Sequence, residues 1–183
     1  MKKVFFMAMA VAAMTLTACG NKNNQAAANG EAAETDNKAT GYVVYENENY
    51  GYSVEVPAWM TRHDPQIGAE SGTIFMNNPE DILDINRIET YGSDGGSLGD
   101  PFTPESVKRR FDMDMEDRPD AINASCNDTS YTYTMPGEAH TSITREVYKG
   151  MKLVSVTVDF DDDMADKLGG EVAEHILNSI KIK

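Results

Sequence analysis

The sequence predicts an α+β domain over residues 42–183, built as a central antiparallel sheet flanked by helices in an α/β/α sandwich. Apolar and polar residues alternate in several short segments, most regularly over Met151–Phe160, and this alternation is typical of half-buried strands. Apolar residues recur at helical spacing after Thr103 and again after Met164. A stretch of about 140 residues is a common domain size and is long enough to bury a core.

The first half of this region is predicted to contain four strands, each bounded by turn-forming residues. Pro57 ends the second strand because proline offers no N–H group to a strand ladder. The segment Gly92–Pro101 contains four glycines and is predicted to be a loop. The predicted strands are Tyr42–Glu46, Tyr52–Val56, Thr73–Asn77 and Ile82–Tyr91.

A helix is predicted to begin at Thr103–Glu105, where an N-cap residue, a proline and an acid follow one another. Pro119 ends this helix. The apolar stripe expected to face the core is Val107, Phe111 and Met115. The acids expected to form the solvated face are Asp112, Asp114, Glu116 and Asp117.

The second half is predicted to be a three-stranded meander. Pro136-Gly137 and Lys149-Gly150 supply its two turns. In the last strand, four apolar residues at alternate positions share one face. The predicted strands are Thr129–Met135, Thr141–Tyr148 and Met151–Phe160, and the shared face is Val154, Val156, Val158 and Phe160.

A final helix is predicted over Met164–Asn178, followed by an edge strand at Ile180–Ile182. Gly169-Gly170 lies inside the helix, and each glycine weakens a helix by about 1 kcal/mol relative to alanine. We therefore expect either a break there or close packing of the backbone against the sheet. The side chains expected to point inward are Leu168, Val172 and Ile176.

The N-terminus is built like an export signal. Lys2 and Lys3 carry positive charge, and Val4–Leu16 is an uncharged apolar run. A helix rises about 1.5 Å per residue and the hydrocarbon core is about 30 Å thick, so this run is too short to span a membrane. The sequence Leu16-Thr17-Ala18-Cys19 resembles the lipobox of bacterial lipoproteins. That resemblance implies cleavage before Cys19 and a membrane anchor of at least two acyl chains, such as palmitate, on that cysteine.

The segment Gly20–Gly41 contains no aromatic or branched apolar residue and is predicted to be disordered. Its 22 residues give a flexible chain a mean reach of roughly 25 Å. The predicted parts of the chain are therefore a signal peptide over residues 1–18, a lipidated, disordered tether over 19–41, and the domain. The first positions after Cys19 carry no acid, unlike the acid-rich motif that sends some lipoproteins to the cell exterior. We expect a lipid-anchored protein of the outer membrane that faces the periplasm.

The chain is strongly acidic, with 30 acidic and 16 basic residues and a net charge of −14. Removal of residues 1–18 takes away two lysines and no acid, which brings the charge to −16. Such a chain repels nucleic acid, so no nucleic-acid partner is expected. With Cys19 lipidated, Cys126 has no partner for an intrachain disulfide. We interpret Cys126 as a partly buried small residue rather than a reactive thiol.

Two segments resemble one family of domains. The run Tyr50–Pro57, followed by Trp59, has the aromatic–glycine–aromatic–serine opening, alternating strand, proline and tryptophan of PsbP-like and Mog1-like domains. The segment Val172–Ile180, after a valine-rich strand, resembles their closing helix. The resemblance implies an antiparallel sheet with helices on both faces, and a role as an assembly factor or binding module. No functional residue transfers with it.

An acidic run marks the junction between the last long strand and the final helix. Hard cations such as calcium bind clustered oxygen ligands, so the run is a candidate cation site. The calcium-loop pattern nevertheless fails, because Met164 stands where glycine is required and Gly170 where glutamate is required. Capping of a helix N-terminus is the favoured interpretation. The residues of this run are Asp159, Asp161, Asp162 and Asp163.

Trp59, with Tyr50 and Tyr52, is a candidate for lining a ligand cleft, although such residues more often cap a core. The sequence contains no HxH or HExxH motif, and the glycine-rich segment Gly92–Gly99 is interpreted as a flexible loop. We therefore expect no catalytic residue and no cofactor, and a non-catalytic interaction or assembly module that binds an envelope protein. The alternatives are a lipoprotein that binds a small ligand or divalent cation, and an enzyme whose site is assembled from distant residues.

Overall fold

The computed structural model describes residues 41–65, 70–81, 83–95 and 99–183. The predicted signal peptide, Cys19 and the tether as far as residue 40 lie outside the described residues. The helices are α1 (Pro104–Asp117), α2 (Ala165–Leu168) and α3 (Gly170–Asn178). The strands are β1 (Tyr42–Asn47), β2 (Tyr52–Pro57), β3 (Thr61–His63), β4 (Gly72–Met76), β5 (Arg87–Asp94), β6 (Ile122–Cys126), β7 (Ser130–Pro136), β8 (His140–Lys149), β9 (Lys152–Asp161) and β10 (Lys181–Ile182).

Seven strands form one antiparallel sheet in the order β3-β4-β5-β9-β8-β7-β6. In the centre, Val158 of β9 lies opposite Ile88 of β5 on one side and Ile143 of β8 on the other. Gly150 has a φ of 61° in the tight turn between β8 and β9, a conformation that glycine adopts without steric cost. This meander confirms the predicted order of the last three long strands.

The large sheet has an apolar core on each face. The alternate residues of β9 from Val154 to Phe160 are buried in the larger core, as predicted, whereas Leu153 belongs to a smaller core on the opposite face. A second sheet, ordered β1-β2-β10, covers the larger core together with α2 and α3. β10 is an edge strand, as predicted, and Lys181 lies opposite Ser53. The chain is therefore an α+β domain with a large antiparallel sheet, which confirms the predicted fold class.

The final helix is broken in the way its two glycines predict. Gly169 is extended and separates α2 from α3. A Cβ atom on Gly169 would lie 2.7 Å from the carbonyl oxygen of Ala165 and 3.1 Å from the ring of Phe160. The break and the close approach to the sheet therefore occur together. Leu168 and Ile176 are fully buried, whereas Val172 is only half-buried.

The β4–β5 region departs from the prediction. The strand predicted over Ile82–Tyr91 begins instead at Arg87 and continues to Asp94. Asp84 holds the preceding residues in a loop, because its carboxylate accepts hydrogen bonds from the backbone N–H groups of Asn78 and Asn86, at 3.0 and 2.9 Å. Asx side chains that bind nearby backbone in this way favour turns over strands.

Gly92 was predicted to open a loop but lies within β5. A Cβ atom there would lie 2.7 Å from the ring of Tyr52, so the glycine makes room for a buried tyrosine of the small sheet. The prediction also missed two edge strands, β3 and β6. β3 has only three residues, and β6 contains a bulge at which Asn123 has a φ of 53°, so neither shows a regular alternation.

Candidate functional site

α1 lies against an aromatic layer on the second face of the large sheet. Strand alternation places Tyr131 and Tyr133 of β7 and Tyr148 of β8 on this face, and all three are buried. The ring of Tyr131 lies 5.9 Å from that of Tyr148 and 6.4 Å from that of Tyr133. The predicted stripe of α1 packs on this layer, since Val107 is buried and the ring of Phe111 lies 5.6 Å from that of Tyr131.

Charged side chains of α1 and β8 bind the hydroxyl groups of this layer. The hydroxyl of Tyr131 donates to Asp114 Oδ2 at 2.6 Å, and that of Tyr148 donates to the carboxylate of Glu146. Nε of Arg110 in turn donates to the hydroxyl oxygen of Tyr148 at 3.1 Å. Hydrogen bonds between buried phenols and charged groups therefore join the helix to the sheet.

Two arginines, one in α1 and one at its C-cap, are also held by aromatic rings. The guanidinium carbon of Arg110 lies 6.0 Å from the ring centroid of Phe102, and that of Arg118 lies 5.2 Å from the ring centroid of Tyr133. Nη1 of Arg118 makes an ion pair of 3.1 Å with Oδ1 of Asp114. Ring contact and hydrogen bonding together fix where these guanidinium groups lie.

The protonation of the aromatic layer is stable near neutral pH. Burial raises the pKa of Tyr131, Tyr133 and Tyr148 above the ordinary value of 10.0. The hydrogen bond to Asp114 raises the pKa of Tyr131 further, and the negative charge of Glu146 raises that of Tyr148. The phenols therefore remain protonated donors across the physiological range.

A cavity of about 280 Å³ opens on the outer side of this network, and we call it the α1 pocket. Arg109 lines this pocket, and its guanidinium group makes no hydrogen bond or ion pair with any residue that the structure describes. Met113, at the rim, is 59% exposed. The residues that line the α1 pocket are Phe102, Ser106, Arg109, Arg110, Met113 and Asp114.

A shallower depression, which we call the α1 shelf, adjoins the pocket and shares Arg109 and Met113 with it. Two further charged residues of the shelf, Lys108 and Asp112, neutralise each other, because Lys108 Nζ lies 2.5 Å from Asp112 Oδ1. Glu105 and Glu116 make no ion pair with any described residue. The residues that line the α1 shelf are Pro104, Glu105, Lys108, Arg109, Asp112, Met113 and Glu116.

The acidic run at the end of β9 is used within the fold. Asp161 caps the following 3₁₀ turn, since its Oδ1 accepts from the N–H of Met164 at 3.0 Å and its Oδ2 from Nδ2 of Asn86 at 2.9 Å. Asp159 lies 3.7 Å from Nε of Arg87. Asp162 and Asp163 are exposed. Within the described part of the chain, no group of three or more histidine, cysteine or acidic side chains is arranged to hold a metal ion.

The structure does not bring the aromatic candidates together in an open cleft. Tyr52 is fully buried in the larger core, and its hydroxyl donates to the carbonyl oxygen of Ser71 at 3.2 Å. Tyr50 packs against the edge of that core. Trp59 lies in the turn after β2 and is 44% exposed. The arrangement of the two tyrosines corresponds to the core-capping interpretation.

The remaining cysteine and histidine side chains of the described residues are dispersed. Cys126 is half-buried at the edge of the smaller core, and burial raises the pKa of its thiol above the ordinary value of 9.0. His63 and His140 are exposed on separate strands. Nε2 of His175 lies 2.8 Å from Oε2 of Glu55. Cys19, the predicted lipidation site, lies outside the described residues.

The prediction from sequence missed the α1 pocket because it treated the acids of α1 as one solvated face. Asp114 follows Val107 by seven residues, which is two helical turns, and so lies on the inward side of α1. The alternation of Tyr131 and Tyr133 placed two phenols on one strand face. Together, the two patterns place the carboxylate of Asp114 and the two phenols on faces that could meet. Neither pattern shows which face of the strand packs against the helix.

No protein-family model matches the chain, and no curated protein matches it in sequence. Among the described residues, no helix combines the length and apolar character required to cross a bilayer. Similarity to known proteins is therefore found at the level of structure.

Two solved structures resemble the chain. The solution structure of cyanobacterial PsbP (CyanoP) from Synechocystis sp. PCC 6803 aligns with a TM-score of 0.51 and 14% identity, over 87% of this chain and 98% of that protein. A crystal structure from Bacteroides thetaiotaomicron VPI-5482 aligns with a TM-score of 0.51 and 9% identity, over 76% of this chain and 48% of that one, so the chain spans about half of its length. At such identities the likeness concerns the fold alone. The chain has a PsbP-like fold.

Proposed function

We propose that the chain is a lipid-anchored cell-envelope protein whose domain is a non-catalytic interaction module. In this proposal, acyl chains on Cys19 hold the protein at the outer membrane, and the segment as far as Gly41 tethers the domain on the periplasmic side. The α1 pocket then binds an envelope protein.

The preset wall of the α1 pocket is the observation that carries the binding role. Arg110 and Asp114 both line the pocket, and a buried tyrosine holds each of them from behind: Tyr148 at 3.1 Å and Tyr131 at 2.6 Å. Side chains that are already fixed lose little conformational entropy when a ligand binds. The pocket is therefore better prepared for recognition than an ordinary stretch of helix surface.

The protonation of the buried groups supports a binding role over a catalytic one. A general acid or base works best when its pKa lies near the operating pH. Burial instead raises the pKa of the phenols of Tyr131 and Tyr148 and of the thiol of Cys126. These groups keep their protons at neutral pH, which suits hydrogen-bond donors and structural residues.

The anchor is tested by metabolic labelling with palmitate and by fractionation of the envelope, for the wild-type chain and a Cys19→Ala variant. We expect the wild-type chain to take up label and to sediment with outer membranes. The variant lacks the sulfur that carries lipid, so it should be unlabelled and released in soluble form. A wild-type chain that takes up no label would refute the anchor.

The interaction role is tested with a photo-crosslinking amino acid placed at Met113 in the full-length chain in cells. Leu83, which is 82% exposed in the β4–β5 loop, provides the matched control position. We expect a specific adduct at position 113 that is absent at position 83, and the purified partner should then bind the purified chain. No adduct at 113, or the same adducts at both positions, would contradict the proposal.

A further inference from the structure

We infer that the α1 pocket receives the carboxyl terminus of a polypeptide that ends in an aromatic or large aliphatic residue and carries basic residues just before it. This inference rests on the proposed function and specifies the chemistry that the pocket recognises. Its three parts follow from the arginines, the apolar walls and the acidic shelf.

The carboxylate is indicated by two neighbouring arginines. Arg109 lines the pocket and makes no hydrogen bond or ion pair with a described residue, although the chain contains nearly twice as many acids as bases. Arg110 uses Nε to bind Tyr148, and its Nη2 lies 4.0 Å from Glu146. The guanidinium fork of Arg109 therefore remains available for bidentate binding of a carboxylate.

The apolar last residue is indicated by the size and walls of the pocket. Phe102 and Met113 form its apolar sides, and its volume of about 280 Å³ lies at the small end of ligand sites. That volume accommodates one large side chain with its carboxylate rather than an extended cofactor. Met113 is exposed at the rim, where it can cover the apolar side chain of an occupant.

The preceding basic residues are indicated by the α1 shelf. A chain whose last residue occupies the pocket continues past Arg109 and Met113, the two residues that the pocket and the shelf share. Two acids of the shelf, Glu105 and Glu116, make no ion pair with a described residue. They complement lysine or arginine upstream of the terminus.

Asp114 also lines the pocket, but its charge is compensated. Its Oδ2 accepts from the hydroxyl of Tyr131 at 2.6 Å, and its Oδ1 lies 3.1 Å from Nη1 of Arg118. Glu146, behind the pocket, accepts from the hydroxyl of Tyr148. The pocket therefore presents a net positive guanidinium surface to an incoming carboxylate.

The test measures fluorescence anisotropy of labelled peptides with the full-length chain in detergent. The probe is fluorescein-Gly-Lys-Gly-Lys-Ser-Phe with a free carboxyl terminus, and its matched control is the same peptide with a terminal amide. We expect the amide to bind about tenfold more weakly, because it loses a charge-assisted hydrogen bond. Replacement of both lysines by glutamate should also weaken binding, because the shelf is acidic.

Arg109→Gln supplies the matched protein variant. Arg109 has no described partner, so this variant should keep the melting temperature of the wild-type chain while it loses about tenfold in affinity for the free acid and little for the amide. Lys167→Gln, which removes another exposed positive charge, from α2, is the control and should bind the acid peptide as the wild type does.

Equal binding of acid and amide, or loss of affinity in Lys167→Gln as large as in Arg109→Gln, would overturn the inference. If free N-acetylphenylalanine displaces the probe with the same affinity as the whole peptide, the pocket recognises a small carboxylic acid, and the inference of a peptide terminus is overturned. A specific adduct at Met113 with no preference for a free carboxylate would refute this inference and leave the interaction role intact. Failure of the crosslinking experiment alone would refute the role in cells.

Discussion

The hydroxyl of Tyr131 on β7 donates a 2.6 Å hydrogen bond to Asp114 on α1, and this bond links the helix to the sheet beneath the α1 pocket. Asp114 faces solvent with 28% of its side chain, so it is neither a free surface acid nor a fully buried one. Removal of one partner from such a pair costs more than the bond itself contributes, because the other partner loses its compensation.

Tyr131→Phe should therefore lower the free energy of unfolding by about 1–3 kcal/mol, because the carboxylate of Asp114 keeps only its ion pair with Arg118. Urea unfolding followed by circular dichroism measures this loss. Tyr91→Phe is the control, since the Tyr91 side chain is half-exposed and its hydroxyl makes no hydrogen bond with a described residue. An equal fall in the free energy of unfolding of the two variants would show that the hydrogen bond to Asp114 does not stabilise the fold.

Gly92→Ala should destabilise the contact between the two sheets. The added Cβ would lie 2.7 Å from the ring of Tyr52 and 2.9 Å from Cβ of Tyr50, so the small sheet must shift outward. Overpacking of this kind costs about 1–3 kcal/mol, and thermal unfolding by calorimetry measures it. Ser93→Ala, at the next position of β5, should change stability little. If Gly92→Ala leaves the stability unchanged, the small sheet can shift outward without loss of free energy.

Asp161→Ala should lower stability by about 1–2 kcal/mol, because it removes the cap of the 3₁₀ turn and one acceptor of the Asn86 amide. Asp163→Ala, at an exposed position, should have little effect. Since both oxygens of Asp161 are engaged, added calcium should leave the melting temperature of the wild-type chain unchanged. A clear rise with calcium would revive the cation-binding alternative.

Acid should destabilise the domain partly through Asp84. Burial alone would raise the pKa of this carboxyl, but hydrogen bonds from Asn86 and Asn78 outweigh burial and hold the pKa below its ordinary value of 3.8. A group whose pKa is lower in the folded state contributes stability above its unfolded pKa, and that contribution is lost as the pH falls through the folded pKa. Stability should therefore fall below about pH 4.

Asp84→Asn is the variant that assigns this acid-induced loss. Its free energy of unfolding, measured in urea between about pH 5 and pH 3, should fall less than that of the wild-type chain. Asp163→Asn should retain the full wild-type fall, because Asp163 accepts no hydrogen bond from a described residue. An unchanged fall in Asp84→Asn would assign the acid sensitivity to other carboxylates.

Patterns within single elements predicted most of the fold. The alternation in β9, the N-cap at Thr103 and the glycine break at Gly169 each depend on residues close in sequence, and the structure confirms all three. The two-sheet arrangement depends on which strand pairs with which, and alternation contains no information about pairing. The α1 pocket was missed for the same reason, because Tyr131 and Asp114 meet only through tertiary packing.

The position of β1 at the start of the described domain determines which face of the domain lies far from its first strand. β1 belongs to the small sheet, which covers one face of the large sheet, whereas α1 covers the other. Stacked layers are separated by about 10 Å each, so the point of attachment and the α1 pocket lie on opposite sides of the molecule. The proposed membrane anchor at the N-terminal end would therefore leave the pocket open to partners that approach from the opposite side.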